Sequence, residues 1–116
     1  MKIKKQKISE KDIQNFILEY LNNFGFFWRN NTTGIYDPYK KCFRKNNQLL
    51  KGVPDILGVY DGRFIAVECK SSSVKKLSED QEIFRIDFEK RGGIFYMAND
   101  IDDFVDWFDN IKLQVF

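Results

Sequence analysis

Between residues 55 and 70 the chain reads Asp55-Ile-Leu-Gly-Val-Tyr60, then Asp61-Gly62, then Arg63-Phe-Ile-Ala-Val-Glu-Cys-Lys70. Asp-Gly is a dipeptide that two-residue hairpin turns favour, because both central positions need positive φ, and the β-branched and aromatic flanks suit strands. The segment therefore predicts a β-hairpin of fixed register. With the turn at 61 and 62, Tyr60 faces Arg63 and Asp55 faces Glu68. Side chains alternate along a strand, which sends Glu68 and Lys70 to one face and Cys69 to the other. Asp55, Glu68 and Lys70 cluster through local geometry alone.

Two carboxylates with Cβ atoms about 5 Å apart repel by roughly 3 kcal/mol at an effective dielectric of 20. Stability does not ask for that arrangement. A Mg²⁺ or Mn²⁺ ion between the acids turns repulsion into attraction, lowers the pKa of a bound water and shields a phosphate oxygen. Lys70 then offers a point charge to the phosphate or the attacking water. A strand-end ion pair of Lys70 with one or both acids is the simpler alternative, and it leaves the opposed acids unexplained.

The rest of the chain supplies a frame for this hairpin. Ser9 precedes Ile13, Phe16, Ile17, Tyr20, Leu21 and Phe24 at helical spacing, and Gly25 follows, predicting a capped amphipathic helix over 10–24. Residues 26–29 read as a strand and 30–34 as a turn, while 35–51 reads as a long basic loop with room for a short hairpin. Ser78-Glu-Asp-Gln81 resembles a capping box that opens a helix closed by Gly92-Gly93. Residues 94–98 read as another strand, and Ile101, Phe104, Val105, Phe108 and Ile111 mark a final acidic helix. A chain of 116 residues has room for one domain, here 1–116. The expected class is α/β, a mixed β-sheet whose central hairpin is flanked by helices on both faces.

Composition narrows the chemistry further. The sequence has no histidine, which removes Cys/His zinc sites, Ser-His triads and imidazole general bases. Hydrolytic chemistry would have to run on carboxylates, lysine and a hard metal ion. Cys42 and Cys69 occur without a secretory h-region or a bilayer-length apolar run, so the expectation is a cytoplasmic or nuclear protein, not secreted and not in a membrane.

Gly52-Val53-Pro54-Asp55, followed by Glu68-Cys69-Lys70, resembles the PD-(D/E)XK nuclease superfamily. The Gly-x-Pro-Asp form with a downstream Ser-x-x-Gln is most similar to its virus-type replication-repair nuclease (VRR-NUC) branch. The resemblance implies a restriction-endonuclease-like core and a Mg²⁺- or Mn²⁺-dependent deoxyribonuclease that leaves 5′-phosphate and 3′-hydroxyl ends. It implies Asp55 and Glu68 as metal ligands, the backbone carbonyl of Cys69 as a further ligand, Lys70 as the catalytic lysine and Gln81 near the site. A capping box would also use Gln81, and both roles stay open. For the family's first-helix acid Glu10 is the best match, as a possible further ligand. Seven residues before Ile17, it lies only about 20° from it around the helix axis. An N-terminal glutamate stabilised by the helix dipole is the alternative. The Cys69 side chain, facing away, reads as packing.

Charge is segregated along the chain. Residues 1–51 carry eleven basic and four acidic side chains, a net of +7, and residues 52–116 eight and thirteen, a net of −5. Such a division suits an anionic partner on one face, though two solvated patches would look the same. Lys40, Lys41, Arg44, Lys45 and Lys51 are the expected phosphate contacts, made without reading base sequence. Tyr36, Tyr39 and Phe43 are expected to pack that loop in preference to stacking on bases. Twelve Phe exceed what so small a core needs, and with one site per chain this predicts a homodimer acting on branched DNA. The alternative is a non-catalytic or nicking DNA-binding module on a nuclease scaffold.

Overall fold

A computed structural model of the chain describes residues 7–30, 35–44 and 50–114. The elements run α1 (Glu10–Leu21), β1 (Phe26–Arg29), β2 (Ile35–Asp37), β3 (Cys42–Arg44), β4 (Ile56–Tyr60), β5 (Arg63–Cys69), α2 (Glu79–Lys90), β6 (Ile94–Ala98) and α3 (Ile101–Leu113). Four strands form one mixed sheet in the order β1-β4-β5-β6, and β2 pairs with β3 as a separate ribbon. The α/β class and the central hairpin follow the expectation.

The hairpin keeps the register that its turn dictates: Tyr60 pairs with Arg63, Leu57 with Ala66 and Ile56 with Val67. Asp61 and Gly62 both adopt positive φ, 49° and 80°, the left-handed pair that this turn needs. Next to the hairpin, β1 lies antiparallel to β4 and β6 lies parallel to β5. The parallel pairing requires a crossover, which α2 provides.

Alternation then sorts the sheet into two faces. Ile56, Ile65, Val67, Cys69 and Ala98 point to one face and join a core with Ile13, Ile17 and Leu21 of α1 and Phe104, Phe108 and Ile111 of α3. On the other face α2 lays Phe84 and Phe88 over Phe95 and Phe64. Helices therefore cover both faces, unequally: two on one side and one on the other.

Helix termini are set by side chains. The Ser9 hydroxyl accepts from the Asp12 N–H at the start of α1. Asp100 caps α3 by accepting from Asp103 N–H, and Asp109 pairs with Lys112 at 3.0 Å, so much of the acidity of α3 has a local account. The α1 helix stops at Leu21, not at residue 24. Asn22 forms the cap, and its side chain both accepts from Phe27 N–H and donates to Phe27 C=O, tying the turn to β1. Phe24 lies past the helix, yet it stays on the apolar stripe because its ring meets Tyr20 and Phe108.

Residues 35–44 form a hairpin ribbon, with Tyr36 opposite Phe43, where a long loop was the main expectation. The Asp37 carboxylate organises its tip by accepting from the N–H groups of Tyr39 and Lys40. Tyr39 corrects the packing expectation, since it is 96% exposed at that tip. Among the described residues no helix is long and apolar enough to cross a membrane.

Candidate active site

The expected acids meet at one end of the sheet. Carboxylate oxygens of Glu10, Asp55 and Glu68 lie within 4.8 Å of one another. Each arrives by a different route: Glu10 opens α1, Asp55 precedes β4, and Glu68 is the penultimate residue of β5.

Asp55 is fixed from two sides. Its carbonyl accepts from Asn30 N–H at 2.7 Å, extending the β1–β4 ladder by one residue, and its Oδ2 accepts from Cys69 N–H at 2.9 Å. Within a strand the N–H and C=O of a residue point to the same edge, so the Cys69 carbonyl faces the edge on which Asp55 sits. The Cys69 side chain is wholly buried in the α1/α3 core. Burial, with Asp55 adding, holds its thiol above the ordinary range, in keeping with a packing role.

Glu68 is the one buried charged side chain among the described residues, 4% exposed. Burial first, then the neighbouring Asp55 carboxylate, push its carboxyl up to about 8, while Lys70 pulls the other way and Glu10 adds a smaller push. Without a cation the cluster therefore favours a proton on Glu68 at neutral pH. The donor set is all carboxylate, which in chemistry suits a hard divalent ion such as Mg²⁺ or Mn²⁺.

Lys70 Nζ stands 3.8 Å from Glu68 Oε1, which keeps the ion-pair alternative in play. Gln81 settles into both of its open roles at once. Its Oε1 accepts from Ser78 N–H at 2.8 Å, completing the capping box, and its Nε2 donates to Glu68 Oε1 at 2.9 Å. The cap thus orients the glutamate. Glu10 is exposed, so it borders the cluster from solvent although it follows the inward stripe of α1.

Gly52 belongs to the site in a way that its place in the motif does not reveal. It adopts φ +72°, and a Cβ there would come within 2.3 Å of the Asp80 carbonyl oxygen and 2.8 Å of Gln81 N. The loop before Asp55 is thereby pressed against the first turn of α2. A Gly two residues before Pro54 was the available signal.

The expected phosphate contacts are more dispersed. Lys40 and Lys41 are exposed at the β2–β3 tip, and Lys51 is exposed beside Gly52. Lys45 and the side chains of Arg44, Tyr36 and Phe43 lie outside the described residues. A cavity of about 510 Å³ is lined by Lys75, Lys76, Leu77, Glu82, Arg85 and residues 95–97, none of which belongs to the carboxylate cluster.

The chain matches no protein-family model, no curated protein and no solved structure. Its function has to be argued from the site itself.

Proposed function

We propose that this chain is a divalent-metal-dependent deoxyribonuclease that hydrolyses phosphodiester bonds at the Asp55–Glu68–Lys70 cluster. The observation that carries the reading is the convergence of three carboxylates within 4.8 Å beside a lysine. Secondary support comes from element order: helix, antiparallel β1-β4-β5, helix and a parallel β6 are compatible with a PD-(D/E)XK core.

Asp55, Glu68, the Cys69 carbonyl and, on the solvent side, Glu10 would hold the ion. A divalent cation in that position supplies positive charge for a phosphate oxygen and acidifies water. Lys70 presents its ammonium to the scissile phosphate or holds the attacking water. Gln81 keeps the Glu68 carboxylate in one orientation through its amide, and burial of Glu68 limits competition from bulk water. Incubating supercoiled, flapped and four-way DNA with the protein in Mg²⁺, in Mn²⁺ and in EDTA tests the reading. Cleavage in either metal and none in EDTA is expected, and no cleavage of any substrate in either metal would refute it.

Lys70→Ala should lower turnover by at least about tenfold while leaving Mn²⁺ affinity within about threefold, because the ammonium acts on phosphate or water and not on the ion. Calorimetry showing a loss of Mn²⁺ binding as large as that of Asp55→Asn would contradict this role.

Binding of sequence-nonspecific DNA would draw on the basic 39–51 region. Neutralising Lys40, Lys41, Arg44 and Lys45 together should weaken binding for all sequences alike and flatten its dependence on salt, since each phosphate contact releases counterions. An unchanged salt slope would remove the ribbon from the interface.

One site per chain and two symmetry-related cuts in a four-way junction make a two-fold homodimer on branched DNA part of the same proposal. A monomeric mass by light scattering at micromolar concentration, with no preference for junctions over linear duplex, would end it.

A further inference from the structure

We infer that the uncovered part of the α2-side sheet face is a stacking platform for unpaired nucleobases, which would narrow the branched substrates proposed above to those with an unpaired strand at the cut, such as flaps, over a fully paired four-way junction. Trp28 and Phe26 of β1 project to the α2 side of the sheet, opposite to Phe27, which enters the core. α2 reaches only part of that face. Phe26 is 73% exposed, Trp28 40% and Phe64 42%. Their rings follow one another at 5.9 Å from Phe26 to Trp28 and 6.5 Å from Trp28 to Phe64, and Phe64 continues to Phe88 at 5.3 Å.

Three features of the surroundings select the occupant. The platform shares its face with the cluster: Trp28 pairs with Leu57, two residues along β4 from Asp55, a distance of about 7 Å along the strand. A second copy seated there would lie across the approach to the carboxylates. The nearby charge suits phosphate, because Lys70 lies on the same face and Lys51 is exposed beside the first turn of α2. Meanwhile Glu82, Glu89 and Asp87 of α2 are paired with Arg85 and Arg91, and the remaining acids of the helix, Glu79 and Asp80, are confined to its first turn, away from the Phe88 end that meets Phe64.

Aromatic rings cannot stack on the interior of a duplex, whose bases cover one another's faces at about 3.4 Å per step. They can take successive bases of an unpaired strand, an interaction that tolerates any sequence. The cleavage consequence rests on the nuclease reading, whereas the binding does not.

The test is binding of 5′-labelled oligothymidine to the full chain in EDTA, followed by fluorescence anisotropy, so that nothing is cut. Trp28→Ala is expected to weaken binding about tenfold, with Trp28→Phe restoring most of it. An abasic oligomer of the same length should bind the wild type as weakly as oligothymidine binds Trp28→Ala. Circular dichroism of both variants checks the fold, and Phe26→Ala, at a more exposed ring, repeats the measurement should Trp28→Ala unfold. Unchanged oligothymidine affinity in the folded alanine variants, or equal wild-type affinity for the abasic oligomer, would overturn the inference. So would conversion of a dimer to a monomer by Trp28→Ala with oligothymidine binding intact, which would assign the face to a second copy. Binding through Trp28 in a protein that cuts nothing in Mg²⁺ or Mn²⁺ would support the platform and defeat the nuclease reading alone.

Discussion

Asp55→Asn and Glu68→Gln should each lower Mg²⁺- or Mn²⁺-dependent DNA cleavage by at least about a thousandfold. An ion at the cluster would contribute several kcal/mol to the transition state, and every 1.4 kcal/mol lost is a factor of ten in rate. Both replacements are nearly isosteric and leave the local hydrogen bonds possible. An asparagine oxygen can still accept from Cys69 N–H, and a glutamine oxygen from Gln81 Nε2. The loss should therefore come with unchanged circular dichroism and with DNA binding in EDTA that is undiminished. Single-turnover cleavage of labelled DNA decides the matter: wild-type rates in either variant would show that the cluster is not the reaction centre. Glu10→Gln is the graded control. Its carboxylate is exposed and borders the group from solvent, so a smaller loss than at Asp55 or Glu68 is expected.

Much of this site is readable from local rules. A two-residue turn at Asp61-Gly62 fixes the register, and the observed pairs carry Asp55 to Glu68 with no tertiary information. The stripe of Ile13, Ile17 and Leu21 likewise foretells the core face of α1, because burial of one face is what a helix of that pattern requires. The same stripe misled at its end. Phe24 is apolar and in phase, but Asn22 and Asn23 turn the chain, and the ring reaches Phe108 from outside the helix.

What local rules miss depends on which elements meet in space. Gln81 looks like either a cap or a site residue, and only the docking of α2 over β5 lets one amide serve both. Gly52 reads as part of a turn until α2 is seen to leave no room for a Cβ. Phe26 and Trp28 alternate with buried Phe27 and look like ordinary strand residues. Their exposure follows from α2 being too narrow to cover β1 and β4 as well as β5 and β6, which no periodicity can disclose.

In EDTA, the thermal stability of the wild type relative to Glu68→Gln should fall as pH rises from about 4.5 to about 8. The folded-state carboxyl of Glu68 is held near 8 by burial and by Asp55, with Glu10 assisting and Lys70 opposing, against an ordinary value of 4.5. Below pH 4.5 the group is protonated in both folded and unfolded chains. Between the two values the folded protein keeps a proton that the unfolded chain has released, so raising the pH favours unfolding. The penalty is complete once pH passes the folded value. A shift of one unit corresponds to about 1.4 kcal/mol, so the full effect is on the order of a few kcal/mol. For a chain of this size that is a relative drop in Tm of roughly 10 °C. Glutamine cannot ionise, and comparing the two proteins cancels the titration of carboxylates remote from Glu68. Adding Mn²⁺ at pH 8 should reverse the drop in the wild type far more than in Glu68→Gln, because an ion held by the cluster would supply the positive charge that the lost proton gave. A difference in Tm between the two proteins that stays flat from pH 5 to about 8.5 in EDTA would mean that Glu68 is ionised throughout, and that Lys70 and Gln81 alone satisfy it.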